Sequence, residues 1–222
     1  MQLSALMITA IGLLAQGCFS ARILVQWIIS EKSGKVESPV LYWVFSIIGS
    51  WLFLVYGWFR NDFAIIFGQF ISYYIYLWNL HKKGVWKGVN PLLKIVLLFT
   101  PVLAAIFLIH NVHDFVEHFL QADNIPVWLL VYGSLGQLVF TLRFVYQLFY
   151  SARRGESLLP SGFWILSLVG CGMIISYGII RADVVLVLGQ SVGFIAYSRN
   201  LVIGARHRKQ HLEQQNSAAD EA

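Results

Sequence analysis

The chain of 222 residues is strongly apolar: 58% of its residues are hydrophobic, 15% are aromatic and 12% are charged. A soluble domain carries about 25% charged residues, so this composition argues against a soluble enzyme. No phosphate-binding glycine loop or Ser/His/Asp arrangement is recognisable in the sequence. The formal net charge of +5 does not indicate nucleic-acid binding, because the basic residues lie in short segments between apolar runs, where they suit anionic lipid.

Seven apolar runs are long enough to cross a bilayer, for which about 20 residues suffice. The first run has no basic segment before it and no small-residue cleavage site after it, so it is predicted to be a helix rather than a signal peptide. Cys18 and Cys171 lie within apolar runs, and no disulfide is predicted. The predicted transmembrane helices lie, in chain order, at about 3–29, 39–59, 62–80, 91–110, 127–150, 160–180 and 182–203.

The first three helices and the last three are related by an internal repeat. Without a gap, 19 of the 65 residues in 16–80 are identical to the residues 121 positions later, in 137–201. Shared apolar composition would match leucine with leucine, but it would not preserve arginines, amides, glycines and prolines. The preserved residues of the first copy are Gln16, Phe19, Arg22, Gln26, Ser30, Gly34, Pro39, Trp43, Ser46, Gly49, Tyr56, Gly57, Arg60, Asp62, Gly68, Gln69, Tyr76, Asn79 and Leu80.

The repeat predicts an all-α membrane protein in a 3+1+3 arrangement. Three helices per repeat would invert the second copy, and the fourth helix between the copies restores its direction. The two three-helix repeats are therefore predicted to be parallel and related by an axis along the membrane normal, as in SWEET-type sugar transporters. The predicted segments are 1–83 for the first repeat, 84–126 for the linker helix and an outer amphipathic segment, 127–204 for the second repeat, and 205–222 for a cytoplasmic tail, expected to be frayed.

The basic residues predict the orientation. Ten of them lie on one side of the predicted helices, whereas the other side has two, Arg60 and Arg181. Because Lys and Arg collect on the cytoplasmic side, the N-terminus is predicted to be periplasmic and the C-terminus cytoplasmic. The ten residues are Lys32, Lys35, Lys82, Lys83, Lys87, Arg153, Arg154, Arg206, Arg208 and Lys209.

The preserved residues lie on one face of each helix. At about 100° per residue, they fall within sectors of about 120° in the first and third helices and about 140° in the second. Lipid offers no hydrogen bonds, so these faces are predicted to point into the bundle or a wet cavity. The preserved glutamines and asparagines have an alternative role as hydrogen-bonding groups between helices, worth roughly 0.6–2 kcal/mol each.

Arg22 and Arg143 are the strongest candidates for a binding site. Each lies roughly 12 Å below the inner surface at about 1.5 Å per residue, and Gln26 or Gln147 follows one turn later. Arginines with adjacent amides can bind phosphate or carboxylate; pairing within the protein and snorkelling are the alternatives. The residues predicted to bind the ligand in one central cavity are Arg22, Gln26, Trp43, Gln69, Tyr76, Asn79, Arg143, Gln147, Trp164, Gln190, Tyr197 and Asn200. No catalytic residue, metal ligand or cofactor is predicted.

The remaining preserved positions are assigned structural roles. The glycines are predicted to permit close helix approach, the prolines to lie in the first turn of a helix, and the Arg-x-Asp turns to pair an arginine with a helix-capping aspartate. They are Gly49, Gly170, Gly68 and Gly189; Pro39 and Pro160; and Arg60, Asp62, Arg181 and Asp183.

The segment between the fourth and fifth helices has an amphipathic pattern. His110, His113, Asp114, Glu117 and His118 share one helical face, which predicts a helix on the outer membrane surface. A zinc site formed by the three histidines is the alternative.

Taken in order, the preserved motifs form a family pattern. The first copy has Arg22-x3-Gln26-Trp27, Gly34, Pro39-x3-Trp43-x2-Ser46-x2-Gly49, Tyr56, Asp62, Gly68-Gln69 and Tyr76-x2-Asn79-Leu80. The second has Arg143-x3-Gln147, Gly155, Pro160-x3-Trp164-x2-Ser167-x2-Gly170, Tyr177, Asp183, Gly189-Gln190 and Tyr197-x2-Asn200-Leu201. This pattern, over about 150 of the 222 residues, resembles the lipid A biosynthesis N-terminal domain family, present twice. The second copy departs from it where Trp27 becomes Leu148 and Glu31 becomes Ala152.

The resemblance implies a bacterial inner-membrane protein of lipid A or related lipid–sugar metabolism. It does not imply sugar transfer by this chain, because the catalytic domain of a lipid-A-disaccharide synthase is soluble and large, and no segment here is predicted to be one. The family is also distantly similar to PQ-loop proteins, which include the SWEET-type transporters, although this chain lacks a Pro-Gln dipeptide.

Three functions follow as hypotheses. The favoured one is a carrier or flippase-like protein for a lipid-linked or anionic sugar, whose partner is a membrane lipid. The second is an accessory membrane subunit that anchors a lipid A glycosyltransferase. The third is a membrane-embedded enzyme of the same pathway. A cavity holding water down to Arg22 and Arg143 favours the carrier, and a dry interior favours the subunit.

Overall fold

The chain is helical in a computed structural model that describes residues 5–60, 63–110, 126–182 and 184–220, and no strand occurs in these ranges. They contain a short 3-10 helix, Val85–Gly88, and seven α-helices, which confirms the all-α class. The helices are α1 (Ala5–Ser33), α2 (Val40–Arg60), α3 (Phe63–Lys82), α4 (Pro91–His110), α5 (Val127–Arg154), α6 (Ser161–Ile180) and α7 (Val184–Asp220).

Four of the described helices are long and apolar enough to cross a membrane. These spans are Leu6–Ser33, Val40–Phe59, Val127–Arg154 and Ser161–Ile180, with mean hydropathies between 1.4 and 2.0, and α4 adds a shorter apolar stretch, Pro91–Leu103. Large apolar side chains such as Leu13, Leu103 and Phe149 are more than half exposed. Exposed apolar surface on this scale is unfavourable in water and favourable against lipid, so the helices suit a membrane.

The same turn ends α1 and α5. Gly34 and Gly155 have φ of 68° and 73°, a left-handed conformation that costs glycine little and ends a helix. The chain then returns to the helix, and the Glu37 amide donates to Ser30 Oγ over 2.9 Å. In the second copy the Leu158 amide donates to Ser151 Oγ over 3.1 Å. The preserved glycines and serines therefore close equivalent loops.

The prolines lie one residue earlier than predicted. Pro39 precedes α2, which begins at Val40, and Pro160 is the N-cap of α6 with φ −72° and ψ 162°. The Pro160 carbonyl accepts a hydrogen bond from the Phe163 amide over 2.9 Å. The missing proline N–H is not needed at this position, since it would precede the first helical hydrogen bonds.

The expectation of a frayed tail is wrong for the described residues, because α7 continues to Asp220. The tail is rich in Ala, Arg, Lys, Gln and Glu, which have high helix propensity. Lys209 and Glu213 form an ion pair over 3.7 Å one turn apart, an arrangement that supports a solvated helix.

The chain forms two compact units, each drawing on both repeats. Unit 1 comprises Met1–Arg22, Val40–Val131 and Gly155–Ser157; unit 2 comprises Ile23–Pro39, Tyr132–Arg154 and Leu158–Ala222. In unit 1, α2 packs on α3, and α3 packs on α4; in unit 2, α6 packs on α7.

Two of the preserved glycines mark close helix contacts. A Cβ at Gly49 would lie 2.9 Å from the Phe19 ring, and one at Gly170 would lie 2.7 Å from the backbone nitrogen of Phe140. At Gly68 and Gly189 a Cβ would meet no described atom within 4 Å, so the described residues do not show the predicted close approach at these two positions.

Several smaller predictions concern residues at the margins of the described ranges. Asp62, Asp183 and the segment 111–125, which holds His113 and His118, lie outside the described residues. Arg181 is the C-cap of α6 and is exposed. Both cysteines are free thiols, as predicted.

Candidate functional site

The predicted site residues are mostly buried. Gln69 and Gln190 are half-buried, and the other ten are less than 9% exposed: Arg22, Gln26, Trp43, Tyr76, Asn79, Arg143, Gln147, Trp164, Tyr197 and Asn200. In a helix of this apolar composition, burial of so many polar groups requires partners. That the twelve residues line one cavity stays a prediction.

Arg22, on α1 in unit 1, is held by hydrogen bonds. Its Nη1 donates to Ser46 Oγ over 3.0 Å and to the Tyr76 hydroxyl over 3.2 Å. The Ser46 hydroxyl in turn donates to the Tyr42 carbonyl over 2.6 Å, so its oxygen is oriented to accept from the arginine. The guanidinium carbon also lies 4.7 Å from the centre of the Phe19 ring, within the range of a cation–π contact. The same carbon lies 5.5 Å from the centre of the Tyr42 ring and 5.6 Å from that of Tyr76.

Arg143, the equivalent residue on α5 in unit 2, has four rings around it. Its guanidinium carbon is 3.3 Å from the centre of the Phe140 ring, 4.7 Å from that of Phe144, 5.7 Å from that of Phe163 and 5.6 Å from that of Tyr197. The side chain is 2% exposed, and its Nε and Nη1 have no hydrogen-bond partner among the described residues. Four ring faces stabilise the charge, but they do not accept these N–H groups in hydrogen bonds of ordinary geometry.

Neighbouring residues account for part of this difference. Ile23 of the first copy corresponds to Phe144 of the second, so Arg143 gains one aromatic neighbour. Tyr42 corresponds to Phe163, so one of the rings around Arg143 has no hydroxyl group. The acceptors of the first copy persist as Ser167 and Tyr197, and the Ser167 hydroxyl donates to the Phe163 carbonyl over 2.6 Å. The two arginines therefore differ in their distance to the equivalent ring, 4.7 Å from Phe19 and 3.3 Å from Phe140, and in the hydrogen bonds at Nη1.

The preserved tryptophans occupy equivalent aromatic clusters. Trp43 is edge-on to Tyr42 at 4.8 Å and lies 6.1 Å from Tyr76. Trp164 is edge-on to Phe163 at 4.8 Å and lies 5.8 Å from Tyr197. The indole Nε1 of Trp164 is buried without a hydrogen-bond partner among the described residues.

The buried amides in unit 2 are paired. Gln26 Nε2 donates to Asn200 Oδ1 over 2.8 Å, and Asn200 Nδ2 donates to Gln26 Oε1 over 3.0 Å. Gln26 Nε2 also lies within hydrogen-bond distance of Ser30 Oγ and the Glu37 carbonyl. This reciprocal pair joins the first helix of one repeat to the last helix of the other, 174 residues apart, and it occupies the groups that would otherwise contact a ligand.

The other preserved amides make local bonds. Gln147 Nε2 donates to Ser151 Oγ and to the Leu158 carbonyl, each over 2.9 Å, and Asn79 Nδ2 donates to the Ile75 carbonyl over 2.8 Å. Bonds to the chain's own backbone fix the amide orientation and satisfy buried carbonyls.

The half-buried glutamines have different partners in the two copies. Gln69 Oε1 accepts from the Ser50 hydroxyl over 2.8 Å, whereas the backbone carbonyl of Gln190 accepts from the Cys171 thiol over 3.2 Å. Cys171 lies 121 positions after Ser50. The side-chain bond of the first copy is therefore replaced by a weaker thiol bond to the main chain.

An exposed ion pair was not anticipated from the sequence. In unit 2 the Arg199 guanidinium binds Glu31 through Nε at 2.8 Å and through Nη2, and the Trp27 indole donates to the same carboxylate over 3.3 Å. The second copy departs from the family pattern at the equivalents of Trp27 and Glu31. That coincidence is the sequence feature that points to the pair.

An apolar groove lies on unit 1. Its volume is about 590 Å³, and its lining side chains come from α1 and α2: Ala10, Leu13, Leu14, Gly17, Cys18, Ala21 and Phe45. It has the chemistry for a hydrocarbon chain rather than for a polar substrate. Among the described residues, no cluster of three or more His, Cys, Asp or Glu side chains is placed to hold a metal ion.

Comparison with known proteins places these features in a family. The model of the family described as "Lipid A Biosynthesis N-terminal domain" matches residues 11–81 and again 132–202. The two matches start 121 residues apart, the offset found in the repeat. No solved structure is significantly similar to the chain.

The curated relatives carry one name, "Lipid-A-disaccharide synthase". The protein so named from Chlamydia muridarum is 29% identical over 208 residues, which cover 88% of this chain and 34% of the relative. That of Chlamydia trachomatis serovar D is 29% identical over 209 residues, with the same coverage, and that of Chlamydia pneumoniae is 27% identical over 200 residues, or 86% and 32%. The chain thus spans about a third of the length of these relatives. With two tandem matches over most of its length, the chain belongs to the Lipid A Biosynthesis N-terminal domain family.

Proposed function

We propose that the chain is a carrier or flippase-like protein of a bacterial inner membrane, which binds the phosphate of an anionic lipid or of a lipid-linked sugar. The observation that carries this proposal is a buried arginine at the same position of each copy, 5% and 2% exposed. A buried charge is costly in a helix that crosses a membrane, and where it occurs it most often serves an ion or substrate pathway.

The proposed architecture has seven membrane crossings in the 3+1+3 arrangement, with parallel repeats and a periplasmic N-terminus. The distribution of basic residues, ten against two, supports the orientation through the positive-inside rule. The equivalent loop closures at Ser30 and Ser151 support the equivalence of the two repeats. The apolar groove on unit 1 suits the acyl chains of a lipid substrate.

The test is lipid scrambling by the purified full-length chain in liposomes. Fluorescently labelled phosphatidic acid is placed in both leaflets, and an impermeant quencher measures how much reaches the outer leaflet. We expect the protein to make the inner-leaflet lipid accessible, and to act less on labelled phosphatidylcholine, whose headgroup is zwitterionic. The R22Q/R143Q variant should scramble no faster than protein-free liposomes. Equal accessibility with and without wild-type protein would contradict a carrier.

A second candidate is a membrane subunit of a lipid A glycosyltransferase. It is favoured by one observation: the matching stretch is about a third of proteins named lipid-A-disaccharide synthase, so the same domain occurs joined to another segment. The test is association with a separately expressed lipid-A-disaccharide synthase catalytic segment on liposomes. Recruitment of that segment without any lipid scrambling would favour the subunit over the carrier.

A further inference from the structure

We infer that the phosphate-binding groups belong to the second copy, with Arg143 and Trp164 as the ligand-binding donors and Arg22 as a structural residue. This inference rests on the proposed function and narrows it. The two copies carry the same arginine, serine, tyrosine and tryptophan, so the sequence pattern treats them as equal. The structure separates them by the hydrogen bonds they form.

The first observation is the state of Arg143. It is 98% buried, yet neither Nε nor Nη1 has a hydrogen-bond partner in the described part of the chain. No described carboxylate forms an ion pair with it. Leaving a buried charged donor unsatisfied costs more than leaving a neutral one, so a group that accepts from these atoms would gain much of that free energy.

The second observation is independent of the first. Trp164 is 1% exposed, and its Nε1 likewise has no partner among the described residues. Both side chains border the same ring: Tyr197 lies 5.6 Å from the Arg143 guanidinium carbon and 5.8 Å from the Trp164 ring. Unit 2 thus concentrates three nitrogen donors without a described hydrogen-bond partner, on two side chains that border one tyrosine.

The chemistry of these groups defines the ligand class. All three nitrogens are donors, and two of them belong to a guanidinium with a full positive charge, so the complementary group is an anion with several acceptor oxygens. A phosphate or phosphodiester has this chemistry, and guanidinium groups bind it in charge-assisted hydrogen bonds. A cation or an apolar group would leave every donor unsatisfied.

The first copy differs at Nη1. The Nε atoms of both arginines are buried without a hydrogen bond in the described part of the chain, but Arg22 Nη1 already donates to Ser46 and Tyr76, and these bonds would have to break before it could bind a ligand through the same nitrogen. Arg143 Nε and Nη1 form no hydrogen bond within the described residues, so they can donate to a ligand without breaking one there. Because Arg143 and Trp164 are buried, the ligand reaches them when the surrounding helices part, which is the behaviour that a carrier requires.

The experiment measures binding to the purified full-length chain in neutral nanodiscs. The probes are phosphatidic acid, with phosphatidylcholine as the neutral reference, and inorganic phosphate and a hexose 1-phosphate as soluble competitors. The variants are R143Q, R143K, W164F and R22Q, with G189A as the neutral control because its Cβ would meet no described atom within 4 Å. Thermal unfolding of each variant is recorded alongside.

We expect R143Q to weaken phosphatidic acid binding about tenfold or more, W164F to weaken it a few-fold, and R143K to fall between them, since an ammonium is a poorer planar donor. R22Q should lower the melting temperature while changing the dissociation constant far less than R143Q. Competition by both soluble phosphates identifies the phosphate as the recognised group, whereas no competition assigns recognition to the lipid as a whole.

Two outcomes overturn the inference and are distinguishable. If wild type binds phosphatidic acid no better than phosphatidylcholine and binds neither soluble phosphate, the proposed function fails and the inference fails with it. If wild type binds phosphatidic acid, the proposed function stands. The assignment to the second copy is then wrong in either of two cases: R22Q weakens binding at least as much as R143Q, or both W164F and R143Q bind like wild type.

Discussion

The two copies of the family motif share a backbone framework but differ at the arginine that the motif preserves. Both close the loop after their first helix with a left-handed glycine and a serine hydroxyl, and both place a tryptophan edge-on to the preceding ring at 4.8 Å. Both arginines lie among aromatic rings, yet Nη1 of Arg22 is hydrogen-bonded, whereas Nη1 of Arg143 forms no hydrogen bond among the described residues. Local geometry follows the motif, and the environment of a buried charge follows its neighbours.

The difference suggests a division of labour after duplication. A repeat allows one copy to keep an arginine with more internal hydrogen bonds, which stabilises its unit, while the other copy supplies the donors of the proposed ligand site. Sites with unsatisfied groups are less stable by themselves, so a stable first copy can compensate for the second. Four sets of substitutions test the difference, beginning with the largest expected effect.

Replacing each arginine with methionine should separate the two copies most clearly. R22M removes two hydrogen bonds from a charged donor, which are worth about 1.5–3 kcal/mol each, so we expect a loss of about 3 kcal/mol in the free energy of unfolding. R143M replaces a buried charge that has no hydrogen bond at Nε or Nη1 with an apolar chain that suits aromatic neighbours. It should leave stability unchanged or raise it.

The measurement is denaturant or thermal unfolding of both variants in the same detergent. The comparison breaks down if R143M destabilises the protein as much as R22M.

The glycines at the helix contacts should differ by a smaller amount. At Gly170 a new Cβ meets the backbone of Phe140 at 2.7 Å, and backbone cannot rotate away; at Gly49 it meets the Phe19 ring at 2.9 Å, which can. Overpacking costs about 1–3 kcal/mol, so we expect about 2 kcal/mol for G170A and about 1 kcal/mol or less for G49A. G189A is the control and should be neutral. Equal losses at both contacts would show that the first copy is as rigid as the second.

Exchanging the donor side chains at the equivalent positions Ser50 and Cys171 sharpens the comparison of the two copies further. S50C replaces a hydroxyl that donates to Gln69 over 2.8 Å with a thiol, a weak donor, and should cost about 1 kcal/mol, the usual worth of one hydrogen bond. C171S strengthens the donor to the Gln190 carbonyl and should be neutral or stabilising. Unfolding midpoints of both variants, compared in one detergent, provide the check. Destabilisation by C171S but not by S50C would reverse the expected order.

The smallest effect is expected at the exposed ion pair. Glu31 of the first copy binds Arg199 of the second. The residues equivalent to them in the repeat are Ala152 and Trp78, neither of which is charged. Exposed pairs contribute little and are screened by salt, so E31Q and R199Q should each lower the unfolding midpoint less than S50C does. The difference from wild type should vanish at about 1 M salt. An effect that persists at high salt would indicate that packing, rather than charge, holds these residues together.

Hydrophobic periodicity was sufficient to locate the helices. Six of the seven predicted ranges lie within about four residues of the described helices, because apolar runs between polar turns determine where a helix starts and ends. The exception is α7, which continues to Asp220 instead of ending near 203. Solvated helix formers have no apolar pattern, so that extension depends on propensity and on ion pairs along the helix rather than on hydrophobicity.

By itself the sequence determined the helical class, the repeat with its offset of 121 residues, the family, and the burial of ten of the twelve predicted site residues, because lipid penalises exposed polar side chains; preserved Gln16 and Gln137 are exposed. Only the tertiary structure decided that Gln26 pairs with Asn200, that Gly49 and Gly170 are the preserved glycines with close contacts among the described residues, and that Arg22 and Arg143 have different partners. A helical period locates a face, but the partner of a side chain depends on rotamers and on residues far away in the chain. Since those neighbours are not part of the motif, identical motifs can hold differently bonded arginines.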